Sequence, residues 1–404
     1  MQIFNIEKFI ANNITKRKES FFEEDIKKNK AELTTEIEGK SVLVIGGAGT
    51  IGSSYVKAIL YFKPAVLYIV DTNENGLTEL IRDVRSNATY TNLPQLFTYP
   101  IDFDSAVFYK LFKRQNGFDI VANFAAHKHV RSEKDEFSIE AMMQNNVLKA
   151  KRFLDLLIYF PPKHFFCVST DKAANPVNLM GATKKLMEEV IMAYANDFKI
   201  TTARFANVAF SNGSLLFGFL ERLTKQQPLS APSDVKRYFV SPKESGELCM
   251  LACILGKTAE IFFPKLKEDE MQTFSSIGNL LLKDFGFEPD YCNTELEAKT
   301  KANQLTKESN SYPVYYFNSD TDGEKSYEEF FTDNETLDNN RFTNLGVVIN
   351  YSKKSKEHLK IVIDQIEHLF KTDDITKTDI IEMIKNIIPN FNHITTGKSL
   401  DYRM

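Results

Sequence analysis

The chain has 404 residues, 43% of them hydrophobic and 26% charged, which is enough to bury a core and excludes a broadly disordered polymer. Its net charge of −4, from 50 basic and 54 acidic residues, argues against a general nucleic-acid binder with a basic face. No uninterrupted apolar run of about 18 residues occurs and the N-terminus is charged throughout, so neither a membrane span nor a signal peptide is expected.

The four cysteines are Cys167, Cys249, Cys253 and Cys292. Cys249 and Cys253 lie one helical turn apart and read as core packing. No His or Cys partner stands at ligand spacing beside them, so no metal site is expected. Few cysteines, no signal peptide and no span together point to the cytoplasm.

Residues 1–40 are charged and read as an arm of short helices. The stretch SVLVIGGAGTIGSSYVKAILYF follows, a β-branched run, a glycine turn and an amphipathic helix. AVLYIVD, QLFTYPID, DIVANFAA, HFFCVST and TTARFANVAF read as five further strands. Helical spacing fills the gaps, in NGLTELIRDVRS, SAVFYKLFKRQ, EAMMQNNVLKAKRFLDLLIYF and MGATKKLMEEVIMAYAND. Strands alternating with helices predict an α/β fold, a Rossmann-like doubly wound parallel sheet over residues 41–210. Regular alternation stops near residue 210. Residues 211–345 read as a smaller, mainly substrate-binding subdomain, and 346–404 as a helical C-terminal extension.

Gly46, Gly49 and Gly52 form G-x-x-G-x-x-G between the first strand and the first helix. Glycines there let the backbone turn tightly and approach a pyrophosphate, while the helix N-terminus offers N–H groups to it. Thr50 and Ile51 sit inside that loop and join the cofactor set. Asp71 ends the second strand. Its carboxylate suits a ribose 2′-hydroxyl and repels a 2′-phosphate, so NAD is favoured over NADP. Asp102, after the third strand, is either part of an adenine pocket or a helix cap. Ala125, after the fourth strand, completes the cofactor candidates.

The fifth strand runs into Ser169, Thr170, Asp171 and Lys172, at the sheet end where ligands bind in such folds. Met180 and Lys184 follow at i and i+4 on the next helix and share a face. Here the sequence resembles the nucleotide-sugar 4,6-dehydratases of polysaccharide biosynthesis, an extended branch of the short-chain dehydrogenases, closest by motif to UDP-N-acetylglucosamine 4,6-dehydratases. The matching stretches include VLVIGGAGTIGSS, ANFAAHKHV, QNNVLKAKRFLD, VSTDKAANPVNLMGATKKLMEE, RFANVAFSNGS, KRYFVSP and DGEKSYEEFFTDNE, in the family's order. The chain departs from the family pattern at Ile45, His127, Arg131 and, above all, at Met180, where a tyrosine is usual.

The resemblance implies an internal redox cycle on a UDP-N-acetylhexosamine with NAD as a retained cofactor, in bacterial surface glycan synthesis. It implies Asp171 as the acid at C6, Lys172 as the base at C5, Thr170 on the C4 hydroxyl and Lys184 on the nicotinamide ribose. Met180 cannot take the O4 proton, which leaves Asp171 or a water to do so. Lys128, His129 and Asn146 are implied on the cofactor or sugar side. Asn207 and Arg237 are implied on the diphosphate and Glu324 at the nucleotide end. Relatives of this kind commonly assemble as homo-oligomers. Two other readings stay open on the residues: an epimerase or reductase, which generally needs the tyrosine, and a non-catalytic NAD-binding protein.

Overall fold

The computed structural model describes residues 4–90, 92–319, 327 and 329–393. Seven parallel strands form the centre of a nine-stranded sheet. They are β1 (Ser41–Ile45), β2 (Val66–Asp71), β3 (Gln95–Pro100), β4 (Ile120–Asn123), β5 (His164–Val168), β6 (Ile200–Ala203) and β7 (Glu260–Pro264). Two antiparallel strands, β8 (Thr336–Asp338) and β9 (Leu345–Ile349), close one edge. The order is β8-β9-β7-β6-β5-β4-β1-β2-β3. The order reverses between β1 and β4, which opens a crevice at the carboxyl ends of those strands.

The central strands are near-continuous apolar runs because helices cover both faces. In β1, Val42, Leu43, Val44 and Ile45 are all at most 1% exposed. The helix Thr50–Leu60 follows β1, and the helix Pro242–Leu255 packs along it. Gly246 allows that approach, since a Cβ there would sit 2.3 Å from the Ser54 carbonyl.

The alternation does not end at residue 210. The Pro242–Leu255 helix and β7 continue it, and residues 336–349 return to the sheet edge. The stretch 211–345 is therefore shared between the main sheet and the second lobe. The reason is topological: residues 211–241, which carry second-lobe chain, interrupt a pattern that then resumes at Pro242. That lobe holds a three-stranded sheet of Leu229–Pro232, Ser311–Phe317 and Glu288–Tyr291, with its own core around Phe219, Ile277, Leu281 and Val314. The predicted sixth strand also splits. Ile200–Ala203 stays in the sheet, and Asn207–Val208 leaves it to pair with Phe239–Val240.

The arm is helical in pieces, as its sequence predicts. It contacts both lobes. Phe9, Ile10 and Ile14 enter the second-lobe core, whereas Phe22, Leu33 and Ile37 enter the main one. Arg17 joins the two by bonding Glu244 and Glu270, each at 2.9 Å. In the C-terminal extension, Lys356–Leu369 packs on the Leu179–Ala193 helix and Lys377–Ile387 on Glu136–Met143. Among the described residues, no helix is long and apolar enough to cross a membrane.

Candidate active site

A cleft of about 510 Å³ opens at the carboxyl ends of β1 to β6. Its floor is the glycine loop. Gly46 has φ +75°, a left-handed conformation that side chains rarely adopt, and a Cβ there would also strike Ala125 N at 2.6 Å. A Cβ on Gly52 would lie 2.2 Å from the Gly46 carbonyl oxygen, so only glycine lets the helix start this close to the turn. At Gly49 the nearest atom would be 3.4 Å away, an ordinary contact. Gly49 caps the helix with no side-chain hydrogen bond, so the first turn presents backbone N–H groups at the cleft. Thr50 and Ile51 line it, and Thr50 Oγ1 accepts from Asn212 N at 2.9 Å.

Asp71 also lines the cleft. One carboxylate oxygen accepts from Ala48 N and the other from Asn73 N, both at 2.9 Å, which ties the end of β2 to the glycine loop. Asp102 lines the cleft too. The cap of the following helix is Ser105, which accepts from Phe108 N. Asp102 instead accepts from Asp104 N and pairs with Lys149. Burial opposes its ionisation, but Lys149 and the Asp104 N–H outweigh it and hold the carboxyl below its usual range.

On the far wall, three donors converge on Asp171 Oδ1: Thr170 Oγ1 at 2.7 Å, Lys172 N at 2.9 Å and Lys172 Nζ at 3.2 Å. Asp171 is 4% exposed. Met180 and Lys184 lie on the facing helix turn, both 3% exposed and both lining the cleft. Lys184 Nζ donates to Val168 O at 2.6 Å. Burial lowers its proton affinity, partly opposed by Cys167 and Glu188. Gly181 lets this helix touch the loop: a Cβ there would meet Lys172 O at 2.7 Å. Asn178 caps the helix by accepting from Gly181 N, and Glu133 accepts from Met180 N at 2.8 Å.

Lys128, His129 and Ala125 line the cleft from the loop after β4. The His129 ring sits over Gly213, where a Cβ would be 3.0 Å from it. Asn207 lines the cleft, and its buried Nδ2 has no hydrogen-bond partner among the described residues. Two predicted residues stand outside the lining of this cleft. Asn146 does not line the cleft; it exchanges hydrogen bonds with the His127 backbone at 2.9 Å and donates to Thr183 Oγ1. Its amide is used up in shaping the 125–129 loop. Arg237 is buried, donates to Lys236 O, and lies in the short ladder with Gln272–Thr273, outside the cleft lining. Glu324 falls outside the described residues.

The sequence reading missed the second-lobe wall of Leu215, Leu216, Phe239 and Phe274. It assigned no role to the buried charges behind β5, Glu188 and Arg204. Glu188 lies within a helix and Arg204 just after β6, where an isolated acid or arginine carries no spacing signal.

A family model described as polysaccharide biosynthesis protein matches residues 42–350. An uncharacterized membrane protein of Methanocaldococcus jannaschii is 27% identical over 364 residues, covering 88% of this chain and 98% of its own. EpsC of Bacillus subtilis, named a probable polysaccharide biosynthesis protein, is 31% identical over 242 residues. That match covers 57% of this chain and only 39% of EpsC. A UDP-N-acetylglucosamine 4,6-dehydratase (inverting) of Campylobacter jejuni is 27% identical over 237 residues, covering 56% of this chain and 67% of its own. Among solved structures, Pen from Bacillus thuringiensis superposes with a TM-score of 0.63 at 20% identity, over 87% of this chain and 98% of its own. The dTDP-glucose 4,6-dehydratase DesIV from Streptomyces venezuelae, solved with NAD bound, gives 0.54 at 19% identity, over 72% and 87%. The two solved structures share the α/β Rossmann architecture, and the family match spans most of the sequence: the chain belongs to the polysaccharide biosynthesis protein family.

Proposed function

We propose that this chain is an NAD-dependent nucleotide-sugar 4,6-dehydratase that converts a UDP-N-acetylhexosamine, UDP-N-acetylglucosamine in the first instance, to its 4-keto-6-deoxy form. The observation that carries the reading is the Asp171–Lys172 pair in the same cleft as the glycine loop, with Met180 at the position a tyrosine would hold. An epimerase needs no such acid–base pair. The Campylobacter relative's named activity agrees with it.

The residues fit the dinucleotide. The uncapped helix start at Gly49–Gly52 suits its diphosphate, and the oxygens of Asp71 suit a ribose hydroxyl pair. NAD⁺ held there supplies a hydride acceptor for C4 and, once reduced, the donor for C6. Lys184 holds the nicotinamide ribose. Asn207 Nδ2, without a hydrogen-bond partner among the described residues, donates to the substrate diphosphate.

The proton traffic closes on two residues. Asp171, as carboxylate, takes the O4 proton, with the Thr170 hydroxyl orienting it. Lys172, as neutral amine, takes the proton from C5, which the C4 ketone has made acidic. Asp171 then gives its proton to the departing C6 hydroxyl, and water leaves. Lys172 returns a proton to C5. Both residues end as they began, so Met180 has no proton to carry.

Proton NMR of purified protein with UDP-N-acetylglucosamine in deuterated water tests the reading. The expected result is a 4-keto-6-deoxy product, deuterium at C5 and no net NADH. Absence of turnover on any UDP-N-acetylhexosamine overturns it.

A further inference from the structure

Behind the catalytic loop lies a buried polar chain that the proposed chemistry does not use. Ser169, the residue before Thr170, donates to Glu188 Oε1 at 2.6 Å. Glu188 is one helical turn beyond Lys184, and is 0% exposed. Arg204, just after β6 and also 0% exposed, donates to both Glu188 oxygens, from Nε at 2.9 Å and Nη2 at 2.8 Å. The same guanidinium donates to both Glu335 oxygens at 2.8 and 2.9 Å, and to the Phe330 carbonyl at 3.1 Å. Glu335 in turn accepts from Thr332 N. A second link runs parallel to it, where Asn175 of the catalytic loop donates to Glu329 at 2.9 Å.

Buried ion pairs contribute little net stability, because desolvation of both partners offsets their attraction. What this arrangement does provide is geometry. Two consecutive residues at the end of β5 are bonded to one face of the helix, a turn apart: Val168 O to Lys184, and Ser169 Oγ to Glu188. Four residues further up that face is Met180. The two bonds therefore fix how Thr170, Asp171 and Lys172 stand relative to Met180 and Lys184. Arg204 holds Glu188 in the one rotamer that serves Ser169, and Glu335 occupies the rest of the guanidinium fork.

We propose that Ser169, Glu188, Arg204 and Glu335 are positioning residues for the Asp171–Lys172 pair, coupling the docked 329–335 segment to the catalytic loop. Glu188, Arg204 and Glu335 lie outside the cleft lining, and Ser169, which does line it, has its hydroxyl turned to Glu188. Their effect on turnover rests on the dehydratase reading, whereas their effect on loop order does not.

Two variants test it, Ser169→Ala and Glu335→Gln, each small enough to keep the fold, with circular dichroism and thermal melting as the check. Hydrogen–deuterium exchange is read on peptides spanning residues 165–176 and 41–60. The expected result in both variants is exchange at least about fivefold faster in 165–176, with 41–60 unchanged. If the wild type turns over UDP-N-acetylglucosamine, kcat falls about tenfold in both, with KM within about twofold. Unchanged exchange in 165–176 in either variant overturns the coupling, as does a rise in KM at constant kcat. A wild type with no turnover defeats the dehydratase reading alone, and the exchange measurement still decides this one.

Discussion

Lys184 Nζ donates to the Val168 carbonyl oxygen at 2.6 Å from a side chain only 3% exposed. Taking an ammonium out of water disfavours its charge, and burial lowers its pKa from 10.5 against the pull of Cys167 and Glu188. Between the folded and unfolded pKa values the native state binds fewer protons than the unfolded chain. Stability therefore rises with pH in the alkaline window below 10.5. Relative to Lys184→Met, the wild type gains stability between pH 7 and pH 9.5, read as urea midpoints. A pH-independent difference contradicts this. The same variant binds NADH at least about tenfold more weakly by fluorescence titration, a loss of roughly 1.4 kcal/mol.

Asp171 and Met180 separate the proton roles. Asp171→Asn keeps the shape of the hydrogen-bond acceptor but cannot take a proton, and kcat falls by about 10² to 10⁴. Met180→Tyr leaves kcat within about tenfold, because the cleft already has a route for the O4 proton. Both are read from 4-keto product formation. Full turnover by Asp171→Asn removes it from the mechanism.

The glycines make a paired prediction. Gly52→Ala forces a Cβ to 2.2 Å from the Gly46 oxygen, and the turn must shift. It costs about 1–3 kcal/mol of stability, as overpacking does. Gly49→Ala meets only an ordinary 3.4 Å contact, so its melting temperature stays close to wild type while NADH affinity falls. The demand for glycine at 49 comes from the ligand side. Equal destabilisation of the two variants contradicts this distinction.

The arm carries a pH-sensitive contact. Glu247 is 6% exposed and bonds the Ser20 hydroxyl; burial pushes its carboxyl up to about 7, with Ser20 and Lys243 opposing. Here the folded pKa lies above the unfolded one, so the native state binds more protons between about 4.5 and 7. Stability falls as pH rises through that window. Glu247→Gln recovers up to about 3 kcal/mol at pH 8 and little at pH 4.5, measured by chemical denaturation. An equal gain at both pH values sinks the assignment.

The parts of this protein legible in its sequence are those set by neighbours in the chain. Strand and helix periods along residues 41–203 follow from alternation of short apolar runs with amphipathic stretches. The glycine loop is legible because three glycines at fixed spacing answer two local demands, a left-handed turn and a tight helix start. Asp171, Lys172, Met180 and Lys184 were legible as a group because a strand end and one helix turn bring them together within 14 residues of chain.

Other features depended on topology. Asn146 exchanges hydrogen bonds with the His127 backbone, a partner 19 residues away in sequence that no local pattern marks. The resumption of the sheet at Pro242–Pro264 is invisible locally, since the second-lobe chain between carries no marker of its return. Arg204 and Glu335 are 131 residues apart in sequence and 2.8 Å apart in space. The sequence by itself determined the turn, the periods and the chemical groups on offer. Only the tertiary structure decided which buried charges meet, because a buried charge is stable only where the crossovers of the chain bring it a partner.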